Sequence, residues 1–477
     1  MSATATGGRI YEAPPAMDAG HSAAPHWFMY LLIAAMLIVA SNYDPLAGRH
    51  GGFQGEEWNE TKRESIGQIG EGGPIRGVAL LLLSGVSLLY LTRPVRFERS
   101  GHRWGRRSML AFGGVAVASI AWSDDPLVSV KRAGAVAVAM LLAVALSRRW
   151  SWTEILMLAL VTTGIVTLGG LLLSVIFGDF RPWEGGYRFA PMSHPNPTAQ
   201  DCAILVMAAA GLAIAGPRRR LMIAICAVAG VCMFLTRSRT SVASFLVAAV
   251  TAGFFARPRR ELVFGALLVG ALVAAAVVFV PDIHGLLTGT ATMGRQDVQG
   301  SDIGTFTGRT YIWQMAYTFF LERPLQGFGF GGFWIPQRID MFAAQLGWVF
   351  FHAHSGYVDA ALGLGVIGLT LYISLLGTTW FESWREWRQH HGAGALFALT
   401  LVTFMAVCSF AETFFPLANL PSFFAMMAVA RLSYSDQEIA GEVVQSPVLQ
   451  STWREHPRLA GALPAASAEA DGWRTRP

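Results

Sequence analysis

The sequence predicts an all-α polytopic membrane protein of about twelve transmembrane helices, and three observations carry that expectation. Of 477 residues, 53% are hydrophobic and only 14% charged, where a soluble domain has about a quarter charged; mean hydropathy is +0.43. Apolar runs recur at lengths close to the roughly 20 residues that a hydrocarbon core about 30 Å thick requires of a helix. Short basic clusters return at every second gap between those runs. This composition points to one polytopic domain rather than several soluble ones. The net charge of +5 is read first as a topology signal, with no nucleic-acid partner.

In chain order, residues 1–26 are small, polar and proline-bearing, too poor in apolar residues for a signal-peptide core, and read as a disordered tail. "WFMYLLIAAMLIVA" then serves as an uncleaved signal anchor. Span cores lie near residues 27–42, 76–92, 109–122, 132–147, 154–177, 198–215, 221–236, 241–256, 261–280, 355–379, 393–411 and 420–433. The basic loops "RPVRFERSGHRWGRR", "SRRW", "PRRR", "RPRR" and "FESWREWRQHH" lie two spans apart, so the positive-inside rule places them, and both termini, in the cytoplasm. The chain thus divides into a tail (1–26), helices one to nine (27–281), a long outer loop (282–354), helices ten to twelve (355–433) and a poorly ordered cytoplasmic tail (434–477).

The opposite, outer face carries the chemistry. In "TGRTYIWQMAYTFFLERPLQGFGFGGFW", Tyr311, Ile312, Met315, Ala316, Phe319 and Phe320 recur at helical spacing, predicting a helix on the outer leaflet that shows Arg309, Gln314 and Thr318 on its polar side. Gly327, Gly329 and Gly332 match a dinucleotide fingerprint only formally, since no strand precedes them. Arg237 and Arg239 in "TRSRTS" could snorkel to water. Together with Arg188 and Arg309 they also form a set of permanently charged, planar donors suited to phosphate oxygens.

His194 and Asn196 in "SHPNP" are either a polar cap with a proline turn or a substrate contact. His352 and His354 admit three readings: a metal pair, for which no further ligand set appears on this face, hydrogen-bonded interfacial residues, or a general base for a sugar hydroxyl. Asp124 and Asp125 are the paired carboxylates outside; no Asp-x-Asp metal motif occurs in the chain. Glu412, at the outer end of the eleventh span, is a second carboxylate candidate, read in the first place as a solvated helix end. The cysteines Cys202, Cys226, Cys232 and Cys408 fall in apolar runs and read as core residues.

Taken together, these motifs resemble the O-antigen ligase and polymerase superfamily, and within it the exopolysaccharide production proteins. The family signature is His, then Asn, Ser or Gln, nine residues, Gly, two residues and Gly; here His354 and Ser355 are followed by "GYVDAALGL" and Gly365-Val366-Ile367-Gly368. "SRTS" resembles the family's arginine turn at Arg239, the "GRTYIWQ" segment its loop motif at Arg309, and "WSDDP" and "SHPN" the exopolysaccharide branch. The resemblance runs from about residue 118 to 369. Ser355 stands where asparagine is commoner.

The resemblance implies a membrane glycosyltransferase of the all-helical, GT-C-like architecture, multi-pass in a bacterial inner membrane. Its implied donor is an undecaprenyl-diphosphate-linked glycan, used at the periplasmic face without cofactor or metal. Further implied partners are membrane lipids, a chain-length regulator and export proteins. Carried onto this sequence, His354, Arg309 and Arg239 are the catalytic candidates, and Arg188, His194, Asn196, Arg237, His352 and Ser355 the substrate-binding ones. Polymerisation of repeat units is the expected reaction. Transfer of finished glycan to lipid A core or protein is the alternative within the same chemistry, and a lipid-linked sugar transporter or flippase is the alternative of another class.

Overall fold

The structure is a computed structural model that describes residues 27–41, 43, 73–184, 187–216, 218–256, 309–347, 349–414 and 419–438. In chain order its helices are α1 (Trp27–Ala40), α2 (Pro74–Thr92), α3 (Trp104–Ala118), α4 (Pro126–Ser147), α5 (Trp152–Gly164), α6 (Gly170–Ile176), α7 (Pro195–Ala215), α8 (Arg219–Leu235) and α9 (Arg239–Ala256). They continue with α10 (Arg309–Glu322), α11 (Pro336–Leu346), α12 (Gly356–His390), α13 (Ala393–Cys408) and α14 (Leu420–Arg431). A π-helical turn, Ile165–Gly169, joins α5 to α6.

Among the described residues, five helical stretches are long and apolar enough to cross a membrane: Pro74–Thr92, Pro126–Ser147, Trp152–Ile176, Pro195–Ile214 and Gly356–His390. α1, α13, α14 and Arg239–Phe255 are shorter apolar helices. Helix α2 shows how such sequences pack. Ala79, Leu83, Ser87 and Tyr90 recur at helical spacing and are buried, whereas Leu81, Leu82, Leu88 and Leu89 on the other faces are exposed. Large exposed aliphatics backed by a closed helical backbone suit lipid, where every backbone polar group must be satisfied within the protein. The chain is an integral membrane protein. The expected span near 261–280, residues 282–308 of the long loop and the chain ends lie outside the described residues.

Local signals set the helix ends. Asp125 accepts from Val128 N at 3.0 Å ahead of Pro126, and Ser151 with Glu154 forms a reciprocal capping box at α5. Caps of this kind are worth about 1 kcal/mol each. His194 accepts from Asn196 N at 3.3 Å and caps α7.

Two sequence expectations are corrected at the end of α12 remote from His354. The segment read as a basic loop, "FESWREWRQHH", continues α12 to His390, because Glu382, Ser383, Glu386 and Trp387 turn inward. Glu382 Oε1 accepts from Trp104 N at 2.7 Å and Gly105 N at 3.2 Å, capping α3. The tail, read as poorly ordered from residue 434, begins with a strand, Tyr434–Glu438, antiparallel to Phe97–Arg99. Buried Arg431 anchors that ribbon, donating to Trp150 O and Tyr434 O and stacking 4.4 Å from the Phe97 ring centroid.

A second, aromatic core holds the long loop. Ile312 and Ala316 of α10 pack with Phe328, Phe333, Trp334, Phe342 and Phe350. The expected apolar face of α10 is the one packed inward except at Tyr311, which is exposed: Ile312 and Ala316 are buried, and Met315, Phe319 and Phe320 pack against the aromatic core. The loop backbone enters α12 where that helix is broken, at Gly365 (φ 66°, ψ −161°). Phe328 N donates to Leu362 O at 2.9 Å and Val366 N to Pro324 O at 2.8 Å.

Candidate functional site

The first shared signature residue with a visible physical reason is Gly365. Its φ/ψ lies in a region that is essentially glycine-only, and a Cβ there would strike the carbonyl of Leu325. Facing it, Gly327 (φ 65°) would bring a Cβ within 2.6 Å of Gly363 C, Gly365 N and Leu362 O. The two backbones meet glycine to glycine, which seats the loop against α12.

At that turn His354 adopts φ 50° and its N–H donates to His352 Nδ1 at 3.2 Å, with the two imidazole centroids 4.1 Å apart. Ser355 caps α12, receiving Val358 N and donating to Ser409 O at 3.1 Å. Asp359, one turn into α12, holds the preceding strand of chain. It accepts from Ala353 N at 3.0 Å, Trp334 Nε1 at 2.8 Å and Thr413 Oγ1 at 2.6 Å. Trp313 of α10 completes the clamp by donating to Ala353 O at 3.0 Å. Asp359 escaped the sequence reading because one carboxylate in an apolar helix carries no pattern of its own.

Beside this turn lies a buried polar network. Arg309, the first residue of α10, donates from Nη2 to Glu412 Oε1 at 2.7 Å and from Nη1 to Thr240 Oγ1 at 3.3 Å. Asn196 Nδ2 donates to the same Glu412 oxygen at 2.7 Å, while Asn196 Oδ1 accepts from Arg188 Nη2 at 3.2 Å. Arg188 Nε also reaches Thr236 O at 3.0 Å. Gly356 N donates to the backbone carbonyls of Ser409 and Glu412, so the histidine turn and the acid stand on one support.

Glu412 corrects the sequence reading of a solvated helix end: it is 5% exposed. Burial pushes its carboxyl above the ordinary carboxylate range, against the opposing pull of Arg309 and Arg188 and of the hydrogen bonds from Arg309 and Asn196. Two guanidinium groups converge on this one carboxylate and its amide neighbour. That is suited to an anion with several acceptor oxygens.

Of the other candidates, Arg237 (φ 52°) and Arg239 are half-buried on the turn that supplies Thr236 and Thr240 to this network. His194 is used as the α7 cap, and its neighbour Asn196 enters the network. Asp124 is a clamp: it pairs with Arg323 at 2.7 Å and Arg338 at 2.5 Å, and Arg338 stacks on Phe328 and Phe333. Among the described residues no group of three or more His, Cys, Asp or Glu side chains is placed to hold a metal ion.

Comparison with known families reaches Arg309 and the His354 turn, while Arg188, Asn196 and Glu412 lie outside the matched residues. Residues 221–373, from α8 through the first half of α12, match the family model described as O-antigen ligase. The chain is also 27% identical over 232 residues to the exopolysaccharide production protein ExoQ of Rhizobium meliloti (strain 1021), an alignment covering 44% of this chain and 51% of that protein. The chain thus spans about half the length of the curated relative it matches. The arginine turn, the loop helix headed by Arg309 and the glycine-broken helix behind His354 lie within the region that matches the O-antigen ligase model, and over that region the chain is similar to the O-antigen ligase and polymerase family.

Proposed function

We propose that the protein polymerises undecaprenyl-diphosphate-linked oligosaccharide repeat units into an exopolysaccharide, by metal-independent, inverting glycosyl transfer at the periplasmic face of a bacterial inner membrane. In this reading both termini are cytoplasmic and the full chain has about twelve spans in a GT-C-like arrangement. The observation that carries it is the Arg188–Asn196–Glu412–Arg309 network standing on the same backbone support as the His354 turn.

The donor diphosphate takes the guanidinium donors of Arg309 and Arg188, with Arg239 and Arg237 on the adjoining turn. It competes with Glu412 for Arg309. An acceptor hydroxyl held at His354, with His352 and Ser355 shaping the turn, attacks the anomeric carbon in line. The new carbon–oxygen bond forms as the bond to the diphosphate oxygen breaks, the proton passes to the His354 imidazole, and the arginines hold the charge that develops on the leaving group. Each charge-assisted hydrogen bond is worth about 1.5–3 kcal/mol. Losing one slows the reaction by about one to two orders of magnitude.

A second reading, ligation of finished glycan onto lipid A core or protein, is favoured by the description of the matching family model; polymerisation is favoured by the name of the relative from Rhizobium meliloti. The test is to incubate the purified protein in lipid with a synthetic undecaprenyl-diphosphate repeat unit and EDTA, and to size the products. A ladder of lengthening lipid-linked chains is expected. Transfer only onto an added core lipid would select ligation, and neither product would remove both.

A further inference from the structure

The break at Gly365 does more than admit the loop. Gly356 and Tyr372, both in α12, would stand about 24 Å apart along an unbroken helix, far more than a tyrosine side chain spans. Instead a Cβ on Gly356 would lie 3.1 Å from Tyr372 Oη, and the ring centroids of Tyr357 and Tyr372 are 5.5 Å apart. The helix therefore folds back at Gly365 into a short leg, residues 356–364, and a long one, residues 366–390. Gly368 lets the legs close, since a Cβ there would collide with Leu364. Both glycines that follow His354 and Ser355 in the signature serve this fold-back.

Tyr372 is the strut across it. Its side chain is fully buried, with Phe112 of α3 at 6.1 Å on one side and Tyr357 of the short leg on another. Its hydroxyl meets Ser409 Oγ at 2.7 Å. Ser409 closes α13 and is also fully buried. Its backbone carbonyl accepts from Gly356 N at 2.9 Å and from Ser355 Oγ at 3.1 Å, and these are the two residues that follow His354. A continuous line of hydrogen bonds thus runs from the long leg of α12, through the end of α13, to the histidine turn. Phenylalanine at 372 would fill nearly the same space without the cost of desolvating a hydroxyl, so packing alone gives no reason for tyrosine there.

We propose that Tyr372 is a positioning residue for glycosyl transfer: acting through Ser409, its hydroxyl fixes the backbone of Ser355 and Gly356 and so the direction in which His354 presents its imidazole. The ordering of the turn stands on the contacts themselves. That it appears as rate rests on the proposed function, in which His354 acts on the acceptor. A strut that bears on the turn shows in kcat and leaves the KM for the lipid-linked donor in place.

The test compares Tyr372→Phe with Thr403→Val, each in the full chain in nanodiscs. Thr403 Oγ1 accepts from Trp380 Nε1 at 3.1 Å, a buried hydrogen bond between the same two helices at a point further from the turn, so its valine variant reproduces the structural loss alone. Hydrogen–deuterium exchange over residues 352–360 is read first, because it needs no substrate. Exchange there is expected to quicken about fivefold or more in Tyr372→Phe and to stay at the wild-type rate in Thr403→Val. With the synthetic undecaprenyl-diphosphate repeat unit, kcat is expected to fall about tenfold in Tyr372→Phe with KM unchanged, and to hold in Thr403→Val. Adding Ser409→Ala to Tyr372→Phe costs little further, because the two hydroxyls act as one unit.

Wild-type exchange at the turn in Tyr372→Phe would overturn the proposal. So would quickened exchange with undiminished kcat, or an equal fall of kcat in the Tyr372 and Thr403 variants. If the wild type itself consumes none of the repeat unit, the proposed function fails, and with it the effect on rate, while the exchange comparison still decides whether Tyr372 orders the turn.

Discussion

Arg309 and Glu412, 103 residues apart in the chain, meet at 2.7 Å with side chains only 14% and 7% exposed. A buried ion pair is weak support for stability, yet breaking one by removing a partner is costly because the other charge is stranded. Glu412→Ala is therefore expected to lower membrane-extracted protein stability by about 3–5 kcal/mol. Glu412→Gln, which can still accept from Arg309 and Asn196, should cost less and should tighten diphosphate binding by removing the competing charge. Thermal unfolding and diphosphate titration of the two variants beside the wild type measure these effects; wild-type diphosphate affinity in Glu412→Gln would show that the charge does not compete.

The proposed function gives His354 a chemical part as well as a structural one. Asparagine tolerates the left-handed backbone that His354 adopts at φ 50°, so His354→Asn should fold and reach the membrane. Without the imidazole, polymer formation should drop by about a hundredfold or more. A product ladder of normal length and yield at matched expression would take His354 out of the reaction.

Asp359→Asn tests the clamp behind the turn. The carboxylate serves donors on both oxygens. An amide would point an N–H at one set of them. A loss of about 1–3 kcal/mol is expected, with activity falling further than stability alone explains because Ala353 is released beside His354. Circular dichroism melts combined with turnover at a temperature where both forms are folded separate the two contributions.

Gly365→Ala should be far more damaging than alanine at Gly377, which has open space around it. The strained backbone and the collision with Leu325 O act together, and the expected cost is above about 3 kcal/mol. Protein recovery after detergent extraction compares the pair directly.

A pH response is expected from the other end of the fold. Burial, with Arg385 and His390 adding to it, lowers the pKa of His102 below its ordinary value, while Glu386 lies 3.6 Å from its Nδ1. A base whose folded pKa is depressed leaves the unfolded chain to bind more protons. Its share of stability is present above about pH 6.5 and declines as pH falls through that value toward the folded pKa. His102→Asn should flatten that part of the stability profile, as melts at stepped pH would reveal.

Much of the bundle was legible because bilayer thickness writes itself into run length: α2, α4, α7 and α12 lie where their apolar runs are. Run length does not say where a helix stops once it leaves the apolar zone. α12 continues past its apolar part because Glu382 and Glu386 find partners on α3 and at His102, contacts more than two hundred residues distant in sequence. The site shows the same division. Arg188, Asn196, Arg309 and His354 announce themselves as polar types at membrane boundaries, whereas the burial of Glu412 and the centrality of Asp359 depend on which segments converge, information that no local pattern holds.

The glycine notch in α12 also sets the rules for building chimeras. Residues 324–331 and 362–366 share backbone hydrogen bonds and fill each other's missing side chains. An outer loop transplanted from a relative would arrive without its socket. Any exchange of the outer loop must carry both stretches as a single cassette, with crossover points placed before Arg309 and after Gly368 rather than at the visible ends of the loop.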